Sequence, residues 1–268
     1  MIRGLASTGL VTRFPDAPDH ASIAEWCPRL DVDGLELSIS RVWDAARVEH
    51  DLRAAGLRFQ TAHLDKRIGA ELIEDARAAL AQLESDCRLA ASLGATLVVL
   101  HLWELPVGDR RLQENLALLP ACLDTAAAAG VTLTVETIPC SSGSPLENVR
   151  RALDVDDRCR VTLDTEFLAH HGQFDEALAD DALWQKVAHL HVKDYAGALR
   201  GASGGRRYLI PGEGTIDFGA LFGTLRERGY DGALTLEVSS VTPTGTVDEQ
   251  RFYGAESWLR QRPWLLSI

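Results

Sequence analysis

The chain has 268 residues and a formal net charge of −12, with 27 lysines and arginines against 39 aspartates and glutamates. This charge argues against a general nucleic-acid binder or a protein of anionic membrane surfaces, because the field of the chain would repel polyanions. Hydrophobic residues make up 46% and charged residues 25% of the chain, ordinary values that argue against disorder and against a fibrous repeat.

Short apolar runs alternate along the chain with longer segments of helical character. A weak first strand is expected within residues 2–10, where glycine and serine lower the β propensity. The other predicted strands are residues 34–38, 57–62, 95–102, 131–135, 159–163, 187–192 and 233–238. Residues 70–92 and 110–129 carry apolar side chains three and four positions apart, as amphipathic helices do. Left-handed helix caps are expected at Gly94, Gly130 and Gly229.

This order of strands and helices predicts an α/β fold that closes as a single (β/α)8 TIM barrel. Residues 1–268 would then form one domain, since a barrel of this kind needs about 250 residues. An open doubly wound sheet would normally carry a glycine-rich phosphate turn after its first strand. The sequence contains neither GxGxxG nor GxxxxGKS/T, which favours the barrel.

The sequence also yields expectations about cellular location, the state of the cysteines and partners. No apolar stretch approaches the roughly 20 residues of a membrane-spanning helix, and no secretory signal is recognisable, so we expect a cytoplasmic location. The cysteines are odd in number and form no CxxC pair, which favours reduced thiols over a disulfide framework. The expected partner is a small molecule, not nucleic acid or membrane, and a homo-oligomer is left open.

Ionisable residues stand at the ends of seven predicted strands. In a barrel the C-terminal ends of different strands meet at one mouth, where catalytic groups lie. Successive members of the set are 27 to 46 residues apart, the repeat length of a strand and helix with variable loops. The set consists of Glu36, His63, His101, Glu136, Asp164, His191 and Glu237.

A carboxylate or imidazole within an apolar strand is unfavourable unless it is paired or binds a metal. The last four members of the set offer oxygen and nitrogen ligands that suit one divalent ion, Mn²⁺, Mg²⁺, Co²⁺ or Zn²⁺. We therefore predict a metal site formed by Glu136, Asp164, His191 and Glu237. Glu36 fits equally well as a hydrogen-bonded strand residue. A second ion bound by His63, His101 and Glu136 is an alternative.

At the end of the predicted strand 187–192, the side chains of His189, His191 and Lys193 are expected on one face, because residues two apart in a strand point the same way. His191 is nearer the C-terminal end and is the better ligand, whereas His189 lies deeper and would fill the barrel. Lys193 could bind a substrate hydroxyl or neutralise a developing enolate oxygen. A salt bridge to a strand-end carboxylate is the alternative role for Lys193.

At these positions the sequence resembles the xylose isomerase-like TIM barrels, the sugar phosphate isomerase/epimerase group that includes ketose 3-epimerases and apurinic endonucleases. The resemblance extends over essentially the whole chain. Its motifs are Gly34-Leu-Glu-Leu, Thr61-Ala-His, Val135-Glu-Thr, Leu163-Asp-Thr, His189-Leu-His-Val-Lys-Asp, Pro211-Gly-Glu-Gly with Ile216-Asp-Phe, and Gly229-Tyr-Asp-Gly before Leu236-Glu.

The resemblance implies the same four metal ligands, with Glu136 and Glu237 doubling as catalytic acid and base groups on either side of the substrate. We expect a metal-dependent isomerase or epimerase of a sugar, sugar phosphate or polyol. It would abstract a proton next to a carbonyl through a metal-stabilised enediolate. The substrate pocket is expected to be lined by His63, His101, Trp103 and Lys193, with packing at the barrel rim as the alternative for Trp103.

Two departures from the family pattern limit the alternatives. Phe167 stands where many members have a histidine, three residues after Asp164, which argues against a substrate or second-metal contact at that position. Residues 213–217 offer no Asp-x-His for a three-metal cluster, and together with the negative charge this argues against a DNA-repair enzyme. A metal-dependent dehydratase of a sugar acid or inosose is the nearest alternative, followed by a sugar-binding barrel without activity.

The segment 195–210 is long and carries Arg200, Arg206 and Arg207. It is expected to be a mobile, solvated loop beside the mouth. The alternative is a loop that closes on a phosphate or carboxylate of the substrate.

Overall fold

Eight parallel strands follow one another around a closed barrel, in which the last strand pairs with the first. The computed structural model describes residues 1–12, 20–103, 108–201 and 204–265. The strands are β1 Arg3–Ser7, β2 Gly34–Ser38, β3 Phe59–His63, β4 Leu97–Leu100, β5 Thr132–Glu136, β6 Arg160–Asp164, β7 Val187–Val192 and β8 Ala233–Leu236. The predicted (β/α)8 barrel is confirmed.

Helices cover the outside of the barrel and connect successive strands. They are α1 Gly9–Thr12, α2 Ala21–Trp26, α3 Ala45–Ala54, α4 Ile68–Glu74, α5 Ala76–Ser92, α6 Leu112–Ala128, α7 Pro145–Val155, α8 Thr165–His170, α9 Phe174–Ala179, α10 Asp181–Trp184, α11 Phe218–Glu227 and α12 Glu249–Gln261. Two 3-10 turns, Cys27–Arg29 and Pro263–Leu265, complete the described elements. Among the described residues, no helix combines the length and the apolar character needed to cross a membrane.

The prediction of one helix over residues 70–92 is wrong, because the segment divides into α4 and α5 at Asp75. Asp75 leaves the helical conformation with φ −146° and ψ 85°, and its side chain accepts a hydrogen bond from the Ala78 amide at 3.0 Å. An aspartate that caps a new helix competes with continuation of the old one. The three glycines predicted as caps all have positive φ, between 62° and 95°.

The two faces of the strands differ in polarity. Leu133 and Val135 of β5 and Leu190 and Val192 of β7 belong to the apolar core. The alternate residues point the other way, into the barrel, and many of them are polar. Barrel interiors are usually filled by branched apolar side chains, so a polar interior indicates a use other than packing.

The predicted state of the cysteines is confirmed for all five, which are free thiols. Four are buried, and Cys140 is half-buried. Burial raises the pKa of each of them to about 12, so they remain protonated at neutral pH. They act as small apolar side chains.

Candidate active site

Four ionisable side chains converge at the C-terminal mouth of the barrel. Glu136 and Asp164 end β5 and β6, His191 lies near the end of β7, and Glu237 directly follows β8. None of the four is more than 2% exposed. One donor atom from each lies within 4.8 Å of the others. The structure thus brings together the four residues that the sequence predicts as metal ligands.

Asp164 is oriented by the start of helix α8. Its Oδ1 accepts a hydrogen bond from the Phe167 amide at 2.9 Å, as the side chain of an N-cap residue does. Its backbone amide donates to Thr137 Oγ1 at 2.8 Å, which ties the ends of β5 and β6 together. The cap occupies one carboxylate oxygen, and the other, Oδ2, faces the ammonium of Lys193 at 2.6 Å.

Glu136 lies between two imidazoles. Its Oε1 accepts a hydrogen bond from His191 Nδ1, and its Oε2 accepts one from His101 Nε2, both at 2.6 Å. Burial alone would raise the pKa of Glu136, but the charge of His191 and the hydrogen bonds donated by His191 and His101 hold it well below its usual value. Glu136 is therefore ionised at neutral pH. Burial lowers the pKa of His101 to about 4.

Lys193 connects two of the carboxylates. Its ammonium contacts Glu237 Oε2 as well as Asp164 Oδ2, and its side chain is buried. Burial, and then the nearby charges of Glu136 and Glu237, raise the pKa of Asp164 to about 7, although Lys193 opposes the rise. The crowding of three buried carboxylates is therefore only partly balanced by Lys193 and the charge of His191.

His63 is held by a backbone carbonyl beside Glu136. Its Nδ1 donates to the carbonyl oxygen of Leu64 at 2.8 Å. Its Nε2 lies 3.2 Å from Glu136 Oε2 and 3.1 Å from His101 Nε2. The donor atoms of His63, His101 and Glu136 also lie within 4.8 Å of one another, which leaves the alternative of a second ion open.

The four clustered residues fit a divalent ion. Three carboxylates and one imidazole supply hard oxygen and nitrogen donors, the chemistry that Mn²⁺, Mg²⁺, Co²⁺ and Zn²⁺ accept. The donors lie at or directly after the ends of four barrel strands, so their spacing is set largely by the barrel.

The remaining predicted site residues lie around this cluster. Lys193 forms the salt bridge that the sequence offered as its alternative role. Trp103 is buried at the rim, and its indole N–H donates to the carbonyl oxygen of Pro139 at 3.1 Å. His189 lies deeper in the barrel, where its Nε2 hydrogen-bonds to Thr235 Oγ1 at 2.8 Å. The roles of these residues toward a substrate stay predictions.

Two residues beside the cluster, Lys66 and Glu166, were not among the predicted site residues, because they lie beyond the strand ends. Lys66, three residues after the end of β3, brings its Nζ to 3.7 Å from Glu237 Oε1 while its side chain stays 46% exposed. Glu166, in the first turn of α8, is buried beside Lys193 and forms an ion pair with Arg206. Its position two residues after Asp164 is the signal that could have drawn attention to it.

The segment after β7 is held by many internal bonds. The buried carboxylate of Asp194 accepts hydrogen bonds from the backbone amides of Tyr195, Gly212, Gly214 and Ile216 at 2.8 to 3.1 Å. Arg206 pairs with Glu166, Arg200 donates to the carbonyl of Gly204, and Arg207 donates to that of Ala196. All three arginines are thus engaged by partners within the protein.

The family description "Xylose isomerase-like TIM barrel" matches residues 25–262. The chain belongs to this family. The resemblance inferred from its strand-end motifs is confirmed. No curated protein matches the sequence.

Several solved structures share the barrel along nearly its whole length. A 3-keto-D-glucoside 4-epimerase from E. coli, in its apo form, is 21% identical, with a TM-score of 0.68 over 97% of this chain and 100% of the other. A D-allulose 3-epimerase from Methylomonas sp. in complex with D-allulose is 16% identical, with a TM-score of 0.73 over 97% of both chains. An AP endonuclease of family 2 from Brucella melitensis is 19% identical, with a TM-score of 0.67 over 97% and 98%. Similarity at these identities shows the fold.

Proposed function

We propose that this protein is a divalent-metal-dependent epimerase or isomerase of a sugar, sugar phosphate or polyol. The observation that carries the proposal is the clustering of two buried glutamates, Glu136 and Glu237, with His191 and Asp164, one donor atom of each lying within 4.8 Å of the others. Two carboxylates at one proposed metal site suit the removal and return of a proton. The similarity of the fold to sugar epimerases supports this choice of substrate class.

In this proposal the chemistry is divided between the ion and the two glutamates. When bound, a divalent ion polarises the carbonyl and neighbouring hydroxyl oxygens of the substrate. One glutamate removes the proton from the carbon next to the carbonyl, which leaves an enediolate. The other returns a proton, to the opposite face of that carbon in an epimerisation or to the neighbouring carbon in an isomerisation. Glu136 is ionised in the resting protein, as a proton acceptor must be.

Neighbouring side chains would bind and orient the substrate. His63 Nε2 can form a hydrogen bond with a sugar hydroxyl, because the other ring nitrogen is engaged by a backbone carbonyl. The ammonium of Lys193 can donate to a developing enediolate oxygen. The buried indole of Trp103 holds the segment after β5 through the carbonyl of Pro139 and would shape the pocket wall.

The test begins with the metal and then follows the proton. The purified protein is expected to contain a stoichiometric divalent ion by elemental analysis, or to be activated by Mn²⁺, Co²⁺, Mg²⁺ or Zn²⁺. The loaded protein is then incubated in D₂O with a panel of ketoses and keto-sugars, including D-allulose and a 3-keto-D-glucoside. Proton NMR should show deuterium entering next to the carbonyl without loss of water.

Variants connect the reaction to the two glutamates. Glu136→Gln and Glu237→Gln should each abolish deuterium exchange, whereas Glu227→Gln, an exposed position on α11, should leave it unchanged. Loss of water from the substrate would indicate the dehydratase instead. Unchanged turnover in the Glu136→Gln protein, or the absence of both bound metal and metal activation, would refute the proposal.

A further inference from the structure

We infer that Glu36 is a positioning residue, which holds the imidazole of His191 so that Nδ1 faces the metal site. The inference rests on the proposed metal site and concerns a residue outside it. Glu36 lies on β2, across the barrel from His191 on β7. It is fully buried, and no role in the proposed reaction requires it.

The two nitrogens of His191 face different carboxylates. Its Nδ1 lies 2.6 Å from Glu136 Oε1 and 3.7 Å from Glu237 Oε2, on the side of the proposed metal ligands. Its Nε2 lies 3.0 Å from Glu36 Oε2, on the opposite side of the ring. The ring is therefore clamped between the metal site and Glu36.

This arrangement selects the tautomer that His191 adopts when a metal is bound. In the metal-free protein each ring nitrogen can donate to a carboxylate, Nδ1 to Glu136 and Nε2 to Glu36, and a metal at the site would take the place of the proton on Nδ1. A neutral imidazole carries one N–H and one lone pair, and a metal ligand must use the lone pair. Because an ionised carboxylate only accepts hydrogen bonds, Glu36 requires the proton on Nε2. The lone pair is then left on Nδ1, where the other three ligands are. Carboxylates that hold a metal-binding histidine in this way raise its basicity and fix its ring orientation.

A purely structural role explains Glu36 poorly. Thr61, its partner in the register between β2 and β3, donates from Oγ1 to Glu36 Oε2 at 3.1 Å. Among the described residues, the other oxygen, Oε1, has no hydrogen-bond partner although it is buried. A buried carboxylate retained only for packing should have both oxygens satisfied, and an apolar residue would fill the same space without desolvating a charge. The contact of Glu36 with His191 gives its carboxylate a role, which is to orient the imidazole.

The test measures metal binding without any substrate, so its result does not depend on whether the protein is a sugar epimerase. The apparent Kd for Mn²⁺ and Zn²⁺ is measured by competition with a chelator for the wild type, Glu36→Gln and Glu36→Met. Glutamine keeps an oxygen acceptor but no charge, and methionine keeps only the volume. We expect affinity to fall by roughly 10-fold to 100-fold, more in Glu36→Met than in Glu36→Gln.

A matched control comes from the same polar interior. Thr134, which hydrogen-bonds to Thr162 at 2.7 Å, has no hydrogen bond to Glu36 or His191. Thr134→Val should therefore retain wild-type metal affinity while disturbing the barrel interior to a similar extent. If Thr134→Val loses as much affinity as Glu36→Gln, the effect is one of general packing and the inference is wrong.

Nitrogen-15 NMR of the histidines reads the tautomer directly. In the Zn²⁺-loaded wild type, His191 should show a protonated Nε2 whose proton is shifted downfield by its bond to Glu36. The shift should decrease in Glu36→Gln, which preserves the shape of the side chain and keeps the test valid even if Glu36→Met fails to fold. A proton on Nδ1 of His191 in the loaded wild type would overturn the inference.

Stoichiometry separates this role from direct ligation, because one donor atom each of Glu36, His189 and His191 also lies within 4.8 Å of the other two. We expect Glu36→Gln to weaken the affinity of a retained site. If the wild type binds two ions and Glu36→Gln loses one while the other keeps its affinity, Glu36 is a ligand of a separate ion and the inference is wrong.

Discussion

Lys66 Nζ lies 3.7 Å from Glu237 Oε1, so a half-exposed lysine from the loop after β3 reaches a buried glutamate of the proposed acid and base pair. The other oxygen of Glu237 contacts the buried ammonium of Lys193. Glu237 is thus flanked by a lysine on the solvent side and a lysine on the inner side. We therefore expect a substrate that approaches Glu237 from solvent to meet Lys66.

We predict that Lys66→Met lowers kcat/KM of the proposed epimerase roughly tenfold. A buried donor to a developing oxyanion contributes more than this, but solvent screens a half-exposed ammonium. Lys66→Arg should retain most of the activity, since it preserves the charge. Steady-state kinetics on a substrate found with the panel measures the effect. Equal kcat/KM values for Lys66→Met and the wild type would show that Lys66 only packs at the rim.

The ammonium of Lys193 leads to a prediction about metal removal. Lys193→Met leaves Asp164 and Glu237 buried without their shared cation, which should destabilise the metal-free protein by about 3–5 kcal/mol. A bound dication replaces part of that charge, so saturating Mn²⁺ should raise the Tm of Lys193→Met more than that of the wild type. Thermal unfolding with EDTA and with Mn²⁺ tests this. Equal shifts in the two proteins would contradict it.

The ion pair between Arg206 and Glu166 should matter for stability, because Glu166 is buried. Arg206→Met leaves that carboxylate without its main partner, and the nearest other cation, Lys193, lies 3.9 Å away. We expect the free energy of unfolding to fall by about 3 kcal/mol in urea titrations. The double variant Arg206→Met with Glu166→Gln should recover much of the loss. If the double variant is no more stable than Arg206→Met, the pair is not the cause.

The residues at the strand ends could be predicted because their local signal is strong. Glu136 and Asp164 each end a short apolar run, and an ionised group in that context needs a special reason. The repeat of such runs also predicts the barrel, since parallel strands joined by helices bring their C-terminal ends to one mouth. The placement of the four proposed ligands therefore follows from pattern and fold class together.

The contacts made by Lys66, Glu36 and Arg206 could not be predicted in the same way. Lys66 and Arg206 lie in loops, where no periodicity shows which way a side chain points. The contact of Glu36 with His191 joins β2 to β7, which are not neighbours in the barrel, so it depends on the closed interior. The break between α4 and α5 at Asp75 could not be predicted either, because the apolar spacing of the helix continues on both sides of this capping residue.

The last prediction concerns stability as a function of pH. Asp86 on α5 is buried, its Oδ2 accepts a hydrogen bond from the Asp65 amide at 2.9 Å, and its Oδ1 accepts one from Gln82 Nε2 at 2.7 Å. Burial, with a contribution from the charge of Asp65, raises the pKa of Asp86 from 3.8 to about 6. The folded protein therefore binds this proton more tightly than the unfolded chain does.

The sign of the effect follows from proton linkage. Stability contributed by protonated Asp86 is fully present below pH 4 and is lost as the pH rises through 6. Asp86→Asn stays neutral at every pH, and rotation of the Gln82 amide can preserve both hydrogen bonds. The stability of Asp86→Asn relative to the wild type should therefore increase by up to about 3 kcal/mol between pH 4 and pH 7. Urea unfolding at pH 4, 5, 6 and 7, with EDTA present, measures the difference, and a difference that does not change with pH would show that Asp86 does not titrate in this range.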